Sequence, residues 1–280
     1  MHKPFLYFGT PYVASDTLAE LLQHGYTPRA VVTSPDAPRG RGLELAPSPV
    51  KALAIERGIE VLTPERIDAD VIATLKEYGA EYAVVVAYGK ILPQALIDAF
   101  PLGILNIHYS LLPKYRGASP VEAALLHGDA VTGVTIQKMV FKLDAGDVIA
   151  QKEVSIGATE TAKELKPRLI KEGAELLIQT LPAFEDGSAV PVVQDESQAT
   201  HCGKMTKEDG LIMLTDDART NWNKYRAYAE WPTTYFFTER NGKQIRVKIT
   251  KATFTNGKFY PERVVPEGKK EMNWADFSRN

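Results

Sequence analysis

Along the first 110 residues, short β-branched and aromatic runs alternate with stripes of helical period, an alternation that predicts a parallel sheet covered by helices. The predicted strands are Phe5 to Phe8, Ala30 to Thr33, Glu60 to Thr63, Tyr82 to Val86 and Ile104 to His108. Val13, Leu18, Leu21 and Leu22 form a helical stripe closed by Gly25. Ser48 before Pro49 opens a second helix, since a serine N-cap accepts an orphan N–H and proline at the first helical position loses no bond. Gly58 closes it. Ser119, Pro120 and Gly128 repeat that punctuation around a third helix.

Beyond residue 130 the period changes. Gly133 to Val140 and Val148 to Ile156 are predicted strands, joined by a turn at Asp144 to Asp147 without an intervening helix. A long helix is expected from Thr161 to Phe184, which Pro167 should break or kink if it lies in the interior. Residues 186–204 are polar and turn-rich and are expected to be a linker. The last segment predicts a helix near Asp217 to Ala229, strands Tyr235 to Phe237 and Gln244 to Thr250, and a short tail. Asn241-Gly242 is a hairpin signal, and the alternation in Ile245 to Ile249 sets Arg246 and Lys248 on one strand face. The chain therefore divides into an α/β body over 1–185, a linker over 186–204 and a small, mostly β domain over 205–280.

Composition changes this picture in one respect. With 280 residues, 44% hydrophobic and 24% charged, the chain has a core to bury and is no disordered or fibrous sequence. The net charge of -2 hides an asymmetry: residues 1–203 carry 18 basic and 25 acidic side chains, residues 204–280 carry 15 and 10. A basic module on an acidic body suits a polyanionic partner. A single cysteine, Cys202, permits no internal disulfide, and no Cys/His cluster offers a metal site. The sequence shows neither a secretory signal nor an apolar run of membrane-spanning length, so the expected location is the cytoplasm, with no membrane partner.

Open parallel sheets bind ligands at the carboxyl ends of their strands. Gly9-Thr10-Pro11 lacks the G-x-G-x-x-G spacing of a dinucleotide site and is read as a tight turn into a helix. Asn106 and His108, two residues apart at a strand end, share a face, where an amide and an imidazole together can hold an oxyanion and move a proton. By itself an Asn-x-His pair is weak evidence, and a hydrogen-bonded structural histidine is the better reading of it. The turn Leu143-Asp144-Ala145-Gly146-Asp147 carries two carboxylates that plain turn chemistry would also explain; one that reached His108 would orient it, and Asp144 is the better choice for that, although spacing does not separate it from Asp147. Cys202 beside His201 lies in the linker, a poor place to fix a thiolate. The Arg39-Gly40-Arg41-Gly42 stretch reads as a cationic loop.

The stretches FGTP (8–11), RGRG (39–42) with PSPVKALA (47–54), VVVAYGKILP (84–93), NIHYSLLPKYRGASP (106–120), GVTIQKMVFKLDAGDV (133–148) and WPTTY (231–235) together resemble the methionyl-tRNA formyltransferase family of formyl-tetrahydrofolate-dependent N-formyltransferases. The resemblance spans almost the whole chain. It implies a Rossmann-like formyltransferase domain followed by a small OB-like domain, and formyl transfer from 10-formyltetrahydrofolate to the amino group of methionyl initiator tRNA, with no metal. It further implies catalytic roles for Asn106, His108 and Asp144, folate contact by Ser110, Leu111, Leu112 and Pro113, and tRNA contact by a loop holding Arg39 and Arg41. The basic strand face of Arg246 and Lys248 would add phosphate contacts. One departure from the family is expected: the OB-like domain is short, passing from Phe254 almost directly to Val265–Lys270. Two rival readings share the sequence features: a formyltransferase acting on a sugar amine or glycinamide ribonucleotide, and a non-catalytic RNA-binding protein of the same fold.

Overall fold

A computed structural model describes residues 2–39, 44–240 and 242–279. Arg41 and the Asn241 half of the first hairpin signal lie outside the described residues. Strand β1 (Phe5–Gly9) leads through Pro11 into α1 (Tyr12–Gln23) and β2 (Ala30–Val32). A small hairpin of β3 (Ala37–Arg39) and β4 (Glu44–Ala46) precedes α2 (Pro49–Glu56), whose Ser48 cap accepts from the Lys51 N–H at 3.0 Å, as the Ser-Pro pair predicts. Next come β5 (Glu60–Leu62), α3 (Ala69–Glu77), β6 (Tyr82–Val86), α4 (Gln94–Ile97) and β7 (Gly103–His108). Helix α3 does carry signals, an Asp68 cap on the Val71 N–H and Val71, Ile72 and Leu75 on one face, which the strand-centred reading passes over, whereas α4 is a single turn, too short for a period to show.

Strand β8 (Arg116–Gly117) is followed by α5 (Pro120–His127), β9 (Val131–Lys138), β10 (Val148–Ser155) and α6 (Ala162–Asp186). Helix α5 starts at Pro120 and ends on left-handed Gly128, yet Ser119 makes no side-chain cap bond, so only part of the expected punctuation operates. The expected break at Pro167 is absent. So close to the helix start the ring removes one backbone bond, and α6 runs on through it and through Pro182.

Seven strands form the main sheet in the order β10-β9-β7-β6-β1-β2-β5. The five from β7 to β5 are parallel, and β9 joins antiparallel to β7. The chain moves outward from β1 to β5, then returns to β6 on the other side of β1. That reversal puts the strand-end crevice of an α/β sheet beside β1, β6 and β7. Leu6, Phe8, Val32, Ala83 and Ile104 supply a fully buried apolar layer, which is why these runs are nearly continuous in hydrophobic residues.

Two compact units emerge, neither contiguous in sequence: residues 1–116, 133–154 and 167–200, and residues 117–132, 155–166 and 201–280. The segment expected as a linker is not a free tether. Val192 exchanges backbone bonds with Val148 at 2.8 Å, Gln194 is buried, and Asp195 caps a turn over Glu196–Gln198.

In the second unit β11 (His201–Cys202) and α7 (Ala218–Ala227), capped by Asp217, precede β12 (Tyr235–Arg240), β13 (Lys243–Thr255), β14 (Lys258–Pro266), β15 (Met272–Asn273) and α8 (Trp274–Arg279). The last four strands pair antiparallel in chain order, among the described residues one short of the five an OB barrel uses. The expected short tail is thus corrected to a hairpin, a short edge strand and a helix. Asn256 and Gly257, at φ 52° and 72°, form the two-residue turn between β13 and β14, the same Asn-Gly chemistry that marks 241–242. Trp222, Val247, Ile249, Val264 and Phe277 close this unit's core.

Candidate active site

Asn106 and His108 end β7, and the antiparallel register sets Asn106 opposite Gln137 and His108 opposite Thr135. All four side chains therefore share one face of the sheet. His108 is 5% exposed. Its Nε2 lies 2.9 Å from the carbonyl oxygen of Tyr115. A carbonyl only accepts, so Nε2 carries the proton and Nδ1 is turned toward the 144–147 turn.

That turn delivers Asp144 and not Asp147. The Asp144 Oδ2 stands 3.7 Å from His108 Nδ1, too far for a direct hydrogen bond but close enough to act as counter-charge, while its Oδ1 accepts from Gln137 Nε2 at 2.9 Å. Asp147 instead offers its backbone carbonyl to Lys138 N–H at 2.9 Å and so ties the turn to β9. Gly146 is required here, because a Cβ would strike the Lys138 carbonyl. Gln137 carries no signal along its own strand; its part follows from cross-strand register, which spacing in one segment does not reveal. Its Oε1 is buried without a hydrogen-bond partner among the described residues, and among them the half-buried Asn106 amide is not engaged by His108, Gln137 or Asp144. An acceptor and a donor are thus left at the strand end.

The 110–113 segment follows directly. Ser110 is fully buried and its hydroxyl donates to Lys114 O at 2.6 Å, while its carbonyl accepts from Thr135 at 2.7 Å. Leu112 N–H donates to the same Thr135 hydroxyl at 3.1 Å, and Gln151 donates to Leu112 O at 2.7 Å. Ser110 and buried Leu112 therefore brace the loop, and Leu111 and Pro113 are its partly exposed side chains. Leu111 lies over Gly133, where a Cβ would collide with both Leu111 and the Lys152 carbonyl. Gly133→Ala is accordingly expected to cost about 1–3 kcal/mol of stability, as overpacking typically does. A thermal midpoint equal to the parent's would show that this close approach is unnecessary.

Among the basic residues, Arg39 ends β3. In β13 Lys248 is exposed, whereas Arg246 is half-buried with its guanidinium carbon 3.7 Å from the centre of the Tyr235 ring. Among the described residues no cluster of three or more His, Cys, Asp and Glu could hold a metal ion, and no helix is long and apolar enough to cross a membrane.

Residues 3–181 match the family model described as formyl transferase, and residues 204–262 match that of the formyl transferase C-terminal domain. A protein of Nitratidesulfovibrio vulgaris named methionyl-tRNA formyltransferase is 44% identical over 252 residues, covering 89% of this chain and 76% of its own length. One of the same name from Geotalea daltonii is 37% identical over 271 residues, covering 96% and 86%. Among solved structures, an N-formyltransferase from Helicobacter canadensis in complex with folinic acid and dTDP-3-aminofucose aligns with a TM-score of 0.70 at 19% identity, covering 98% of this chain and 99% of that one.

Proposed function

This chain belongs to the formyl transferase family and, within it, to the methionyl-tRNA formyltransferases, and on that premise we propose that the β7 strand end and the 144–147 turn carry the transfer. Its reaction moves a formyl group to the α-amino group of methionine on initiator tRNA. The observation that carries the site assignment is the division of labour in Asp144, one oxygen held by Gln137 and the other facing His108 Nδ1.

The amine must be neutral to attack, and esterification of the methionine carboxylate favours this by removing a nearby negative charge. When bound, 10-formyltetrahydrofolate supplies the formyl carbon, whose bond to the folate nitrogen breaks after the amine has added to it. The residues present fit such a donor: the Asn106 amide meets the formyl oxygen's need for a hydrogen bond, and the orphaned Gln137 Oε1 can accept from an N–H. Partly exposed Leu111 and Pro113 offer apolar contact, with Ser110 and Leu112 holding the loop behind them. As the amine adds, Asn106 donates to the developing oxyanion, a contribution typically worth ~3 kcal/mol in the barrier. His108, fixed through Nε2 by Tyr115 O, exchanges the proton at Nδ1, taking it from the amine and returning it to the departing nitrogen. Asp144 supplies the counter-charge while His108 holds that proton. No step requires a metal, and the reaction is read as cytoplasmic, in the compartment where its tRNA substrate is charged and used.

Phosphate contact belongs to the basic second unit, with exposed Lys248 as its available charge and Arg246 stacked beside it. Arg39 and Arg41 act nearer the aminoacyl end. Arg246→Ala with Lys248→Ala is expected to raise KM for tRNA with little change in kcat, and to reduce the salt slope by about 1 for each phosphate no longer neutralised. Arg41→Ala should lower kcat as well, through poorer orientation. An unaltered salt slope in the double variant would remove Arg246 and Lys248 from the tRNA surface. Specificity is tested by offering charged initiator tRNA, a nucleotide-linked amino sugar and glycinamide ribonucleotide separately with the same donor: formylation confined to the tRNA is expected, and preference for either small amine would overturn the reading.

A further inference from the structure

From a segment that reads as linker, Gln194 reaches into the catalytic turn. It is 7% exposed. Its Nε2 donates to two backbone carbonyls, Asp144 O at 2.9 Å and Gly146 O at 2.6 Å. Its Oε1 accepts from Arg116 Nε at 3.0 Å and Nη2 at 2.8 Å. Arg116 is itself buried at 1% exposure and continues to Glu196, donating through Nη1 at 3.1 Å and Nη2 at 2.9 Å. Glu196 also accepts from Lys142 Nζ at 2.8 Å; the Arg116 and Lys142 hydrogen bonds hold its carboxyl down to about 2, so the anchor stays charged.

The turn needs such a clamp. Asp144 sits at φ 47°, in the left-handed region, which Asp tolerates better than most L residues but still at some cost, so contacts that hold the turn favour it. Gln194 captures the carbonyls on either side of Ala145, and the fork of Arg116 sets the orientation of the Gln194 amide. We propose that Gln194, oriented by Arg116, is a positioning residue for formyl transfer that fixes the Asp144 backbone so that the carboxylate stays against His108. This inference rests on the assignment of Asp144 to the reaction made above.

Gln194→Glu is the sharpest variant. A carboxylate keeps a partner for Arg116 but cannot donate to either carbonyl, so it removes the clamp on the turn and leaves the anchor paired. In the full-length protein, Gln194→Glu is expected to lower the single-turnover rate by about 10- to 100-fold, the scale of an ångström-sized misplacement, with KM for tRNA and folate within about threefold of the parent. In an Asp144→Asn background the same change should add no more than about twofold, because the group it positions is already disabled. A structural role alone would multiply the two losses. A folded Gln194→Glu variant within about threefold of the parent rate, or a multiplicative double variant, overturns the proposal. Should Gln194→Glu not fold by thermal melting, Gln194→Met is judged by the same criteria, and failure of both to fold assigns Gln194 to the fold and overturns it as well. Parent-like activity in Asp144→Asn alone would instead reject the role of Asp144, so the two failures are distinguishable.

Discussion

Replacing His108 or Asn106 by alanine is expected to slow the chemical step of formyl transfer by about 100-fold or more while leaving folate binding largely intact, because each side chain works mainly in the transition state. The two losses differ in kind. Asn106→Ala removes an amide that His108, Gln137 and Asp144 leave unengaged, so little in the resting structure depends on it. His108→Ala also removes the 2.9 Å contact from Nε2 to the Tyr115 carbonyl and opens space at the end of β7, an interior strand. His108→Ala should therefore lower the thermal midpoint as well, whereas Asn106→Ala should not. Single-turnover rates within about threefold of the parent for both variants would remove the pair from the reaction.

The second large effect is expected from Asp144→Asn. The amide oxygen can still accept from Gln137, and the backbone bonds to Gln194 are untouched, so fold and turn should survive. The negative charge facing His108 Nδ1 across 3.7 Å disappears, and with it the partner for a proton held on the imidazole. A loss of about 100-fold or more in rate, with KM for both substrates close to the parent's, is the expected outcome. Asp147→Asn should change the rate by less than about threefold, since Asp147 contributes a backbone carbonyl to β9. A reversal of these two results would mean that the working carboxylate is Asp147.

Much of this arrangement is legible in the sequence because local chemistry and global pattern agree there. Four of the five parallel strands, β1, β2, β6 and β7, are visible as largely buried apolar runs and the edge strand β5 as a shorter, partly exposed one, and Ser48-Pro49 marks a helix start that the Ser48 hydroxyl does cap. Asn106 and His108 share a face by the period of a strand, and the turn after β9 has to pass near them. What is not legible depends on contacts between distant segments. Gln137 is set against Asn106 only by antiparallel register, and Gln194 reaches the Asp144 turn from 50 residues away. A polar, turn-rich stretch reads as linker even when one side chain in it is buried. The β13–β14 hairpin goes unread despite its Asn256-Gly257 turn, because β14, with Pro261, Glu262, Arg263 and a terminal Pro266, lacks a clean alternation of apolar and polar residues.

That Asn106, His108 and Asp144 together move a formyl group onto charged initiator tRNA is tested most directly by a rapid-quench single turnover. Enzyme in excess is mixed with methionyl initiator tRNA and 10-formyltetrahydrofolate, and the amino acid released from the tRNA is identified by mass. Within one turnover time of the parent enzyme, formylmethionine should accumulate with the parent and be nearly absent with Asp144→Asn. No formylmethionine from the parent, or equal amounts from both proteins, would contradict the assignment.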